Sequence, residues 1–229
     1  MMAAEKDYPR GYGPVRPEAD YRPWDIDNLF RPLYAAIEEY TKVDEARCYL
    51  LWRGALQLAP LAGDFLEVGV WRGGTGALLC DAAARLGEDR HVYLADTFRG
   101  VVKAGPRDDY YKGGEHADTS RETVDELLDA VGTENYTVLE GVFPEETAAS
   151  VREGPIALCH VDVDVYRSAK DVTEWVWPRM PVGGLIVYDD YGFYGCEGVT
   201  ALGNEEYERE DRLFLHNLSG QAFCIKLRP

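Results

Sequence analysis

The sequence has no excess of positive charge: its 229 residues include 24 Lys and Arg against 41 Asp and Glu, a net charge of −17. This balance argues against nucleic acid and anionic membranes as partners, because both are polyanions. No apolar run reaches the roughly 18–20 residues that span a bilayer. The first residues also lack the apolar core of a secretory signal. We therefore expect a cytoplasmic protein.

Cysteine is scarce and shows no pairing pattern. The five cysteines are scattered, and the sequence contains neither a Cys-x-x-Cys pair nor a His/Cys set at zinc spacing. We expect them to be reduced thiols, mostly buried. The hydrophobic content of 46% is sufficient for a sizeable core, and the length fits one domain of ordinary size.

The chain is organised around residues 65–76, where a short apolar run leads into a glycine-rich turn and then into helix-forming residues. A buried strand, a glycine turn and a helix in this order open the nucleotide site of doubly wound α/β domains. Glycine permits positive φ and a close approach of the backbone to a ligand. The spacing is not Gly-x-Gly-x-x-Gly, so the turn alone indicates close packing equally well.

The remaining sequence alternates between strand and helix patterns, which predicts an α/β fold with a mostly parallel sheet. Residues 1–60 are predicted to form an irregular arm and two helices that serve as a lid or an oligomer surface, not an independent domain. Residues 61–229 form the main domain, and a Ser-Gly turn at 219–220 indicates a C-terminal antiparallel hairpin. Strands are predicted at 64–70, 91–95, 136–139, 156–161 and 185–188, and helices at 29–40, 45–58, 77–87, 121–131, 145–152 and 168–177.

Asp96 follows the second predicted strand and lies 20 residues beyond Gly76. An acid at this place holds ribose hydroxyls in doubly wound nucleotide folds, although a helix cap or a turn acid is the alternative. The next segment, 97–118, contains four glycines and little periodicity. A loop of this length in one domain is usually functional or mobile.

Pairs of acids follow the fourth and fifth predicted strands: Asp162 with Asp164, and Asp189 with Asp190. Ligands bind at the carboxyl ends of strands in open α/β sheets, and carboxylates gathered there repel one another unless a cation lies among them. Oxygen ligands suit Mg²⁺, Ca²⁺ or Mn²⁺ better than zinc. Because alternate residues of an extended chain point the same way, one acid can bind metal while the other reaches the substrate.

Four separated segments resemble the TylF/MycF (macrocin-type) O-methyltransferases, and they occur in the same order. The resemblance extends over about residues 20–200, and the upstream Tyr40-Thr-Lys-Val43 also matches. The four segments are Glu67-Val-Gly-Val-Trp-Arg-Gly-Gly74, Asp96-Thr-Phe-Arg-Gly100, Val161-Asp-Val-Asp-Val-Tyr166 and Gly183-Gly-Leu-Ile-Val-Tyr-Asp-Asp-Tyr191.

The resemblance implies a Rossmann-like methyltransferase fold and a homo-oligomer. It also implies transfer of a methyl group from S-adenosylmethionine, with Mg²⁺, to a sugar hydroxyl on a natural product. Residues 61–229 would then be the cofactor-binding catalytic domain. The implied site residues are Glu67, Gly69, Gly73 and Asp96 for the cofactor, with Ser120 and Phe143 as further candidates, Asp162, Asp189 and Asp190 for Mg²⁺, and Asp164 as the general base.

One segment departs from the family pattern. The family commonly reads Phe-Glu-Gly after Asp96, whereas this chain has Arg99 at the acidic position and a different loop up to His116. We interpret His116 as facing substrate or solvent, and His160, within a strand, as a hydrogen-bonded core residue.

Three alternatives stay open. A catechol-like phenol could replace the sugar as acceptor, since a metal can hold vicinal oxygens in either. An NAD(P)-dependent oxidoreductase would explain the glycine turn and Asp96 but not the paired acids. A binding protein that kept the fold and lost catalysis is the third.

Overall fold

Seven strands form one sheet in the order β3-β2-β1-β4-β5-β7-β6 in the computed structural model, which describes residues 7–15, 18–87 and 89–229. The first five strands are parallel, and the last two run antiparallel as a hairpin at one edge. The strands are β1 Asp64–Val68, β2 Val92–Asp96, β3 Tyr136–Glu140, β4 Ile156–Val161, β5 Leu185–Tyr188, β6 Arg212–His216 and β7 Ala222–Lys226.

Six α-helices cover the two faces of this sheet within the part of the chain that the structure describes. Asp44 begins the second helix by accepting from the backbone N–H groups of Ala46 and Arg47, and Ser120 begins the fourth by accepting from Thr123. The helices are α1 Phe30–Ile37, α2 Glu45–Leu56, α3 Gly74–Leu86, α4 Arg121–Val131, α5 Tyr166–Val176 and α6 Glu197–Tyr207.

The central strands are buried along their whole length because helices pack on both sides. Helices α1 to α4 share one apolar cluster with side chains such as Phe65 and Leu158, while α5 and α6 share the opposite cluster with Leu66 and Ile186. From β1 the chain runs outward to β3 and then returns to β4 on the other side of β1. This reversal opens a crevice at the carboxyl ends of β1 and β4, where ligands bind in folds of this kind.

The α/β fold, the parallel strands and the C-terminal hairpin are confirmed, with boundaries that shift by a few residues. The predicted helix at 145–152 is wrong, because only a 3-10 turn, Ala148–Ser150, forms there. The carboxylate of Glu146 instead accepts from the backbone N–H of Val142 at 2.7 Å. The segment between Pro144 and Gly154 is also too short for helical hydrogen bonds to compensate for the unfavourable free energy of helix nucleation.

The N-terminal helices are packed against α3: Phe30 and Trp52 are fully buried in the same cluster as Leu78. The predicted irregular arm has no helix or strand in its described part beyond a short 3-10 turn, Pro23–Asp25, and residues 1–6 and 16–17 lie outside the described residues. Within the described ranges, no helix is both long and apolar enough to cross a membrane.

Candidate active site

A cavity of about 590 Å³ opens at the carboxyl ends of β1, β2, β4 and β5. Its wall combines the glycine turn after β1, the loop after β2 and the acidic ends of β4 and β5. Of the residues that the sequence predicted for the site, the cavity wall includes Gly69, Asp96, Phe143, Asp162, Asp164, Asp189 and Asp190.

Gly69 begins the turn after β1 with φ of +91°, a conformation that favours glycine. A Cβ atom at this position would lie 1.6 Å from the carbonyl oxygen of Asp162, so no other residue fits beside β4. Gly73 also has positive φ, +94°, and it precedes the first residue of α3. The turn therefore brings the free N–H groups of the helix N-terminus to the edge of the cavity.

Asp96 holds this turn in place. Its Oδ2 accepts from the backbone N–H groups of Val70 and Trp71 at 2.8 and 2.9 Å, and its Oδ1 accepts from Phe98 at 2.7 Å. A carboxylate offers about four acceptor positions, so one stays free for a ligand hydroxyl. The predicted ribose contact stays a prediction, and the support of the glycine turn agrees with the alternative of a turn acid.

Three predicted cofactor residues lie outside the cavity wall. Glu67 is fully buried beneath α3 and contacts His160, while Gly73 packs against Val124 on α4. The hydroxyl of Ser120 accepts from the N–H of Thr123 as the cap of α4. Their assignment to the cofactor stays a prediction.

Phe143 is on the wall of the cavity, but its ring also packs edge-on against Trp175 at 4.9 Å. The cavity side of the ring is therefore the only part offered to a ligand.

The four aspartates after β4 and β5 all belong to the cavity wall, and their ligand atoms form two separate groups: Asp162 and Asp189 with His160, and Asp164 and Asp190 with Cys196. The predicted metal ligands Asp162, Asp189 and Asp190 are thus divided between the two groups, and their joint role stays a prediction. Burial, followed by the charges of Asp189 and Asp190, raises the pKa of Asp162 well above its usual value. Burial, followed by Asp164 and Asp189, raises the pKa of Asp190 in the same way. Burial and mutual repulsion therefore disfavour the charged forms of these carboxylates unless a cation is present.

Asp190 also positions Asp164. The backbone of Asp164 has φ of +64°, which is strained for a residue with a side chain, and Asp190 Oδ2 accepts from its N–H at 2.9 Å. Strain of this kind costs about 1–3 kcal/mol and clusters at functional sites. The carboxylate of Asp164 is directed at the loop after β2, with His116 Nε2 4.0 Å from its Oδ2.

Asp189 differs from the other three acids because protein groups already neutralise it. Arg47 Nη1 on α2 lies 2.5 Å from Asp189 Oδ2, and Gln221 Nε2 donates to Oδ1 at 2.6 Å. Burial raises the pKa of Asp189, but His160 and Arg47 lower it by more, so the net shift is downward. Sequence reasoning missed Arg47, since no local pattern connects α2 with β5.

The loop 97–118 has no helix or strand, as predicted, and it closes on itself at its base. Val101 donates its N–H to the carbonyl of Glu115, and Gly114 donates to the carbonyl of Val101. Farther along the loop, the two oxygens of Asp108 accept from Gly105 N–H and Tyr166 N–H, each at 2.9 Å. The loop is therefore an ordered wall of the cavity, docked on α5.

Aromatic side chains surround the mouth of the cavity. Tyr110, Phe193 and Tyr194 are 69%, 39% and 46% exposed and belong to the cavity wall. On the described part of the N-terminal arm, the rings of Tyr8 and Tyr12 pack against Tyr194 at 5.8 and 5.7 Å. Exposed rings grouped at one mouth offer flat apolar surface to a ring-shaped ligand.

A tyrosine and a lysine four residues apart, the spacing used by some NAD(P)-dependent oxidoreductases, do occur here as Tyr166 and Lys170. Neither belongs to the cavity wall, and the hydroxyl of Tyr166 donates to Glu205 on the outer surface at 2.8 Å. The geometry gives this pair no access to a ligand in the cavity.

The residues present fit both a nucleoside-containing cofactor and a divalent cation. The close approach of Gly69 to β4 and the free N–H groups of α3 form a cradle that a Cβ atom would fill. Asp162 and Asp189 in one group, and Asp164 and Asp190 in the other, supply the carboxylate oxygens that hard dications prefer.

Comparison with known proteins gives a consistent picture. The family model described as macrocin-O-methyltransferase (TylF) matches residues 54–213. Demethyldecarbamoylnovobiocin O-methyltransferase of Streptomyces niveus is 32% identical over 141 residues, which cover 56% of this chain and 53% of that protein. A tetracenomycin 4'-O-methyltransferase of Streptomyces olivaceus, whose substrate name includes a dimethoxy-rhamnosyl group, is 29% identical over 146 residues, covering 58% and 55%.

The chain thus spans about half the length of the curated relatives it matches. Among solved structures, the calicheamicin methyltransferase CalS11 is similar with a TM-score of 0.70 and 18% identity. The match covers 89% of this chain and 84% of that one. At this identity the likeness concerns the fold, which is the Rossmann-like fold of methyltransferases.

Proposed function

The chain belongs to the macrocin-O-methyltransferase (TylF) family, and we propose that it methylates a hydroxyl of a sugar on a secondary metabolite, using S-adenosylmethionine and a divalent cation. One observation carries the proposal: two pairs of aspartates from adjacent strands converge in the same cavity as the glycine turn after β1. An acidic cluster beside a nucleotide-like cradle suits a cationic sulfonium cofactor and a metal, and it repels the diphosphate of a dinucleotide.

S-adenosylmethionine when bound supplies the electrophilic methyl group, and the dication, Mg²⁺ in the resembled family, lowers the pKa of the acceptor hydroxyl. Asp162, Asp189 and Asp190 are the residues that hold the cation in our proposal. Asp164 accepts the proton from the acceptor hydroxyl, since its carboxylate faces the cavity beside His116. Binding in one cavity holds the methyl donor and the acceptor hydroxyl in line, which lowers the entropic part of the activation barrier.

The acceptor class rests on the relatives and on the cavity mouth. Two curated relatives are named for methylation of antibiotics or of a rhamnosyl-bearing substrate. The exposed rings of Tyr110, Phe193 and Tyr194 can pack against the apolar face of a sugar or an aglycone. The same rings suit a catechol-like phenol equally well. A phenol is therefore the second candidate for the acceptor.

We also propose a cytoplasmic homo-oligomer. All five cysteines are unpaired and buried, which fits a reducing compartment. Apolar side chains at the N-terminal segment are exposed, with Tyr21 at 71%, Ile26 at 68% and Leu29 at 53%. Such a patch is typical of a subunit interface, and light scattering coupled to size-exclusion chromatography measures the mass directly.

Calorimetric titration with S-adenosylmethionine, S-adenosylhomocysteine and NADH, with and without Mg²⁺, tests the cofactor. We expect binding of the first two ligands and none of NADH. Methyl transfer is then assayed on glycosylated natural products and on catechols, with Asp164→Asn as the comparison enzyme. Asp164→Asn should lose about 10²–10⁴-fold in turnover while it retains the cofactor. Binding of NADH alone, or full turnover in excess chelator, contradicts the proposal.

A further inference from the structure

His160 is a fully buried histidine that lies directly behind the acidic cluster. It is in β4 two residues before Asp162, so both side chains point to the same face of the sheet. In the parallel register it pairs with Glu67 of β1. His160 and Glu67 both have 0% exposure, and Nδ1 of the imidazole lies 2.7 Å from Glu67 Oε1.

This contact determines which ring nitrogen carries the proton. An ionised carboxylate only accepts hydrogen bonds, so Nδ1 of His160 must donate to Glu67. In the neutral imidazole Nε2 then has a free lone pair. Among the described residues Nε2 has no hydrogen-bond partner, although it is buried.

Nε2 of His160 faces carboxylate oxygens. Asp189 Oδ1 lies 3.5 Å away, and ligand atoms of His160, Asp162 and Asp189 all lie within 4.8 Å of one another. Arg47 donates to the other oxygen of Asp189, Oδ2, whereas Gln221 donates to the same Oδ1 at 2.6 Å. Burial lowers the pKa of His160, but its interactions with Asp189 and Glu67 raise it by more, to about 10. Donor atoms that converge in this way in a buried space therefore need a positive charge among them, either a second proton on the imidazole or a metal ion.

We propose that His160 supplies a nitrogen ligand to the cation held by Asp162 and Asp189, so that the site prefers a transition-metal dication such as Mn²⁺ or Co²⁺ to Mg²⁺. The inference rests on the metal role in the proposed function and specifies the chemistry of that site. Mg²⁺ takes oxygen ligands almost exclusively, whereas imidazole nitrogen suits first-row transition metals.

Glu67 acts as a positioning residue in this arrangement. A histidine that binds a metal almost always donates its other N–H to a carboxylate or a carbonyl, which fixes the ring and its tautomer. Glu67 meets this description through its contact with Nδ1, and it does so from a strand that is buried on both faces. This role explains why Glu67 lies beneath the cavity and not in its wall.

Electron spin echo spectroscopy of the full chain with Mn²⁺ tests the inference without an activity assay. A coordinated imidazole gives a ¹⁴N coupling in the Mn²⁺ signal, and we expect this coupling in the unmodified protein. His160→Gln should abolish it and should lower Mn²⁺ affinity by more than the roughly 10–100-fold that loss of an outer partner costs. The affinity for Mg²⁺ should fall much less, because Mg²⁺ gains little from nitrogen.

Two further variants make the result decisive. His91→Gln is the matched control, because His91 contacts Thr137 at the opposite end of the sheet, and it should leave the ¹⁴N coupling unchanged. Glu67→Gln should retain the coupling but weaken Mn²⁺ binding by about 10–100-fold. If His160→Gln does not fold, the ¹⁴N coupling in the spectra of the unmodified protein and of Glu67→Gln still tests whether an imidazole binds the metal.

Bound Mn²⁺ without ¹⁴N coupling overturns the inference and leaves an all-oxygen metal site in the proposed function. The buried imidazole is then a cation that shares a proton with Asp189. Absence of any Mn²⁺ or Mg²⁺ binding overturns both this inference and the metal role.

Discussion

Asp96 and Asp162 both lie at the carboxyl ends of parallel strands, yet their carboxylates have opposite surroundings. Asp96 accepts three backbone N–H groups from the turn beside it. Asp162 accepts from no donor among the described residues, and burial with neighbouring negative charge raises its pKa. Local hydrogen bonds satisfy the oxygens of the first acid, which therefore holds the backbone of the turn in place. The second has no such partners, so its ionised form needs a cation beside it.

The largest expected effect concerns Asp162. Asp162→Asn should lower kcat/KM about 100-fold or more, because in the proposed function it removes a ligand of a cation that contributes several kcal/mol. The melting temperature should stay equal or rise, since one of several mutually repelling carboxylates is gone. Enzyme kinetics and thermal unfolding measure the two quantities. Full activity would remove Asp162 from the metal site, and a large loss of stability would mean that its charge is already neutralised.

Asp189→Ala tests an acid that, unlike Asp162, has partners within the protein. Removal of Asp189 leaves the buried Arg47 with only the exposed Asp44 as a partner, so the free energy of unfolding should fall by about 3 kcal/mol. Urea unfolding measures this change. Asp118→Ala, which removes an exposed partner of Arg72, is the control and should have little effect. Equal stability of Asp189→Ala and the unmodified protein would contradict the importance of the ion pair.

Asp96→Asn tests the acid whose oxygens accept from the backbone of the glycine turn. An amide cannot accept from Val70, Trp71 and Phe98 as a carboxylate does, so the glycine turn should lose support. We expect about tenfold weaker binding of S-adenosylmethionine, equivalent to one charged hydrogen bond. Metal affinity should be unchanged, and calorimetry measures both. A parallel loss of metal binding would mean that the two regions are coupled.

The smallest effect concerns Ser120. Ser120→Ala should reduce the free energy of unfolding by about 1 kcal/mol, the usual cost of a lost N-cap. Affinity for S-adenosylmethionine should not change, because the hydroxyl caps α4 outside the cavity wall. Chemical unfolding and calorimetry test the two statements. Weaker cofactor binding at unchanged stability would favour the cofactor role that the sequence predicted.

The strands and the acids at their ends could be predicted because their signals are local. Runs such as Ile156–Val161 are apolar because both faces of the strand are buried. Each run ends in acids, and parallel strands bring their carboxyl ends to one edge of the sheet. The convergence of Asp162 with Asp189 therefore follows from topology alone.

Other features depend on contacts between distant parts of the chain. Arg47 reaches Asp189 across 142 positions of sequence, and nothing near either residue indicates the pair. The approach of His116 to Asp164 depends on a loop without periodicity. For His160 a signal was present, since it lies two residues before Asp162 in an extended strand, but a buried histidine is more often a core residue than a ligand.

The closed base of the loop 97–118 bears on how acceptor range can change in this family. The two backbone hydrogen bonds between Val101 and the 114–115 segment close the base of the loop, and Asp108 docks the intervening residues on α5. The strands that deliver the aspartates lie outside this loop. We therefore expect that the stretch from Gly100 to Glu115 can be transplanted between relatives as a cassette, so that new acceptors are acquired while the chemistry is inherited unchanged.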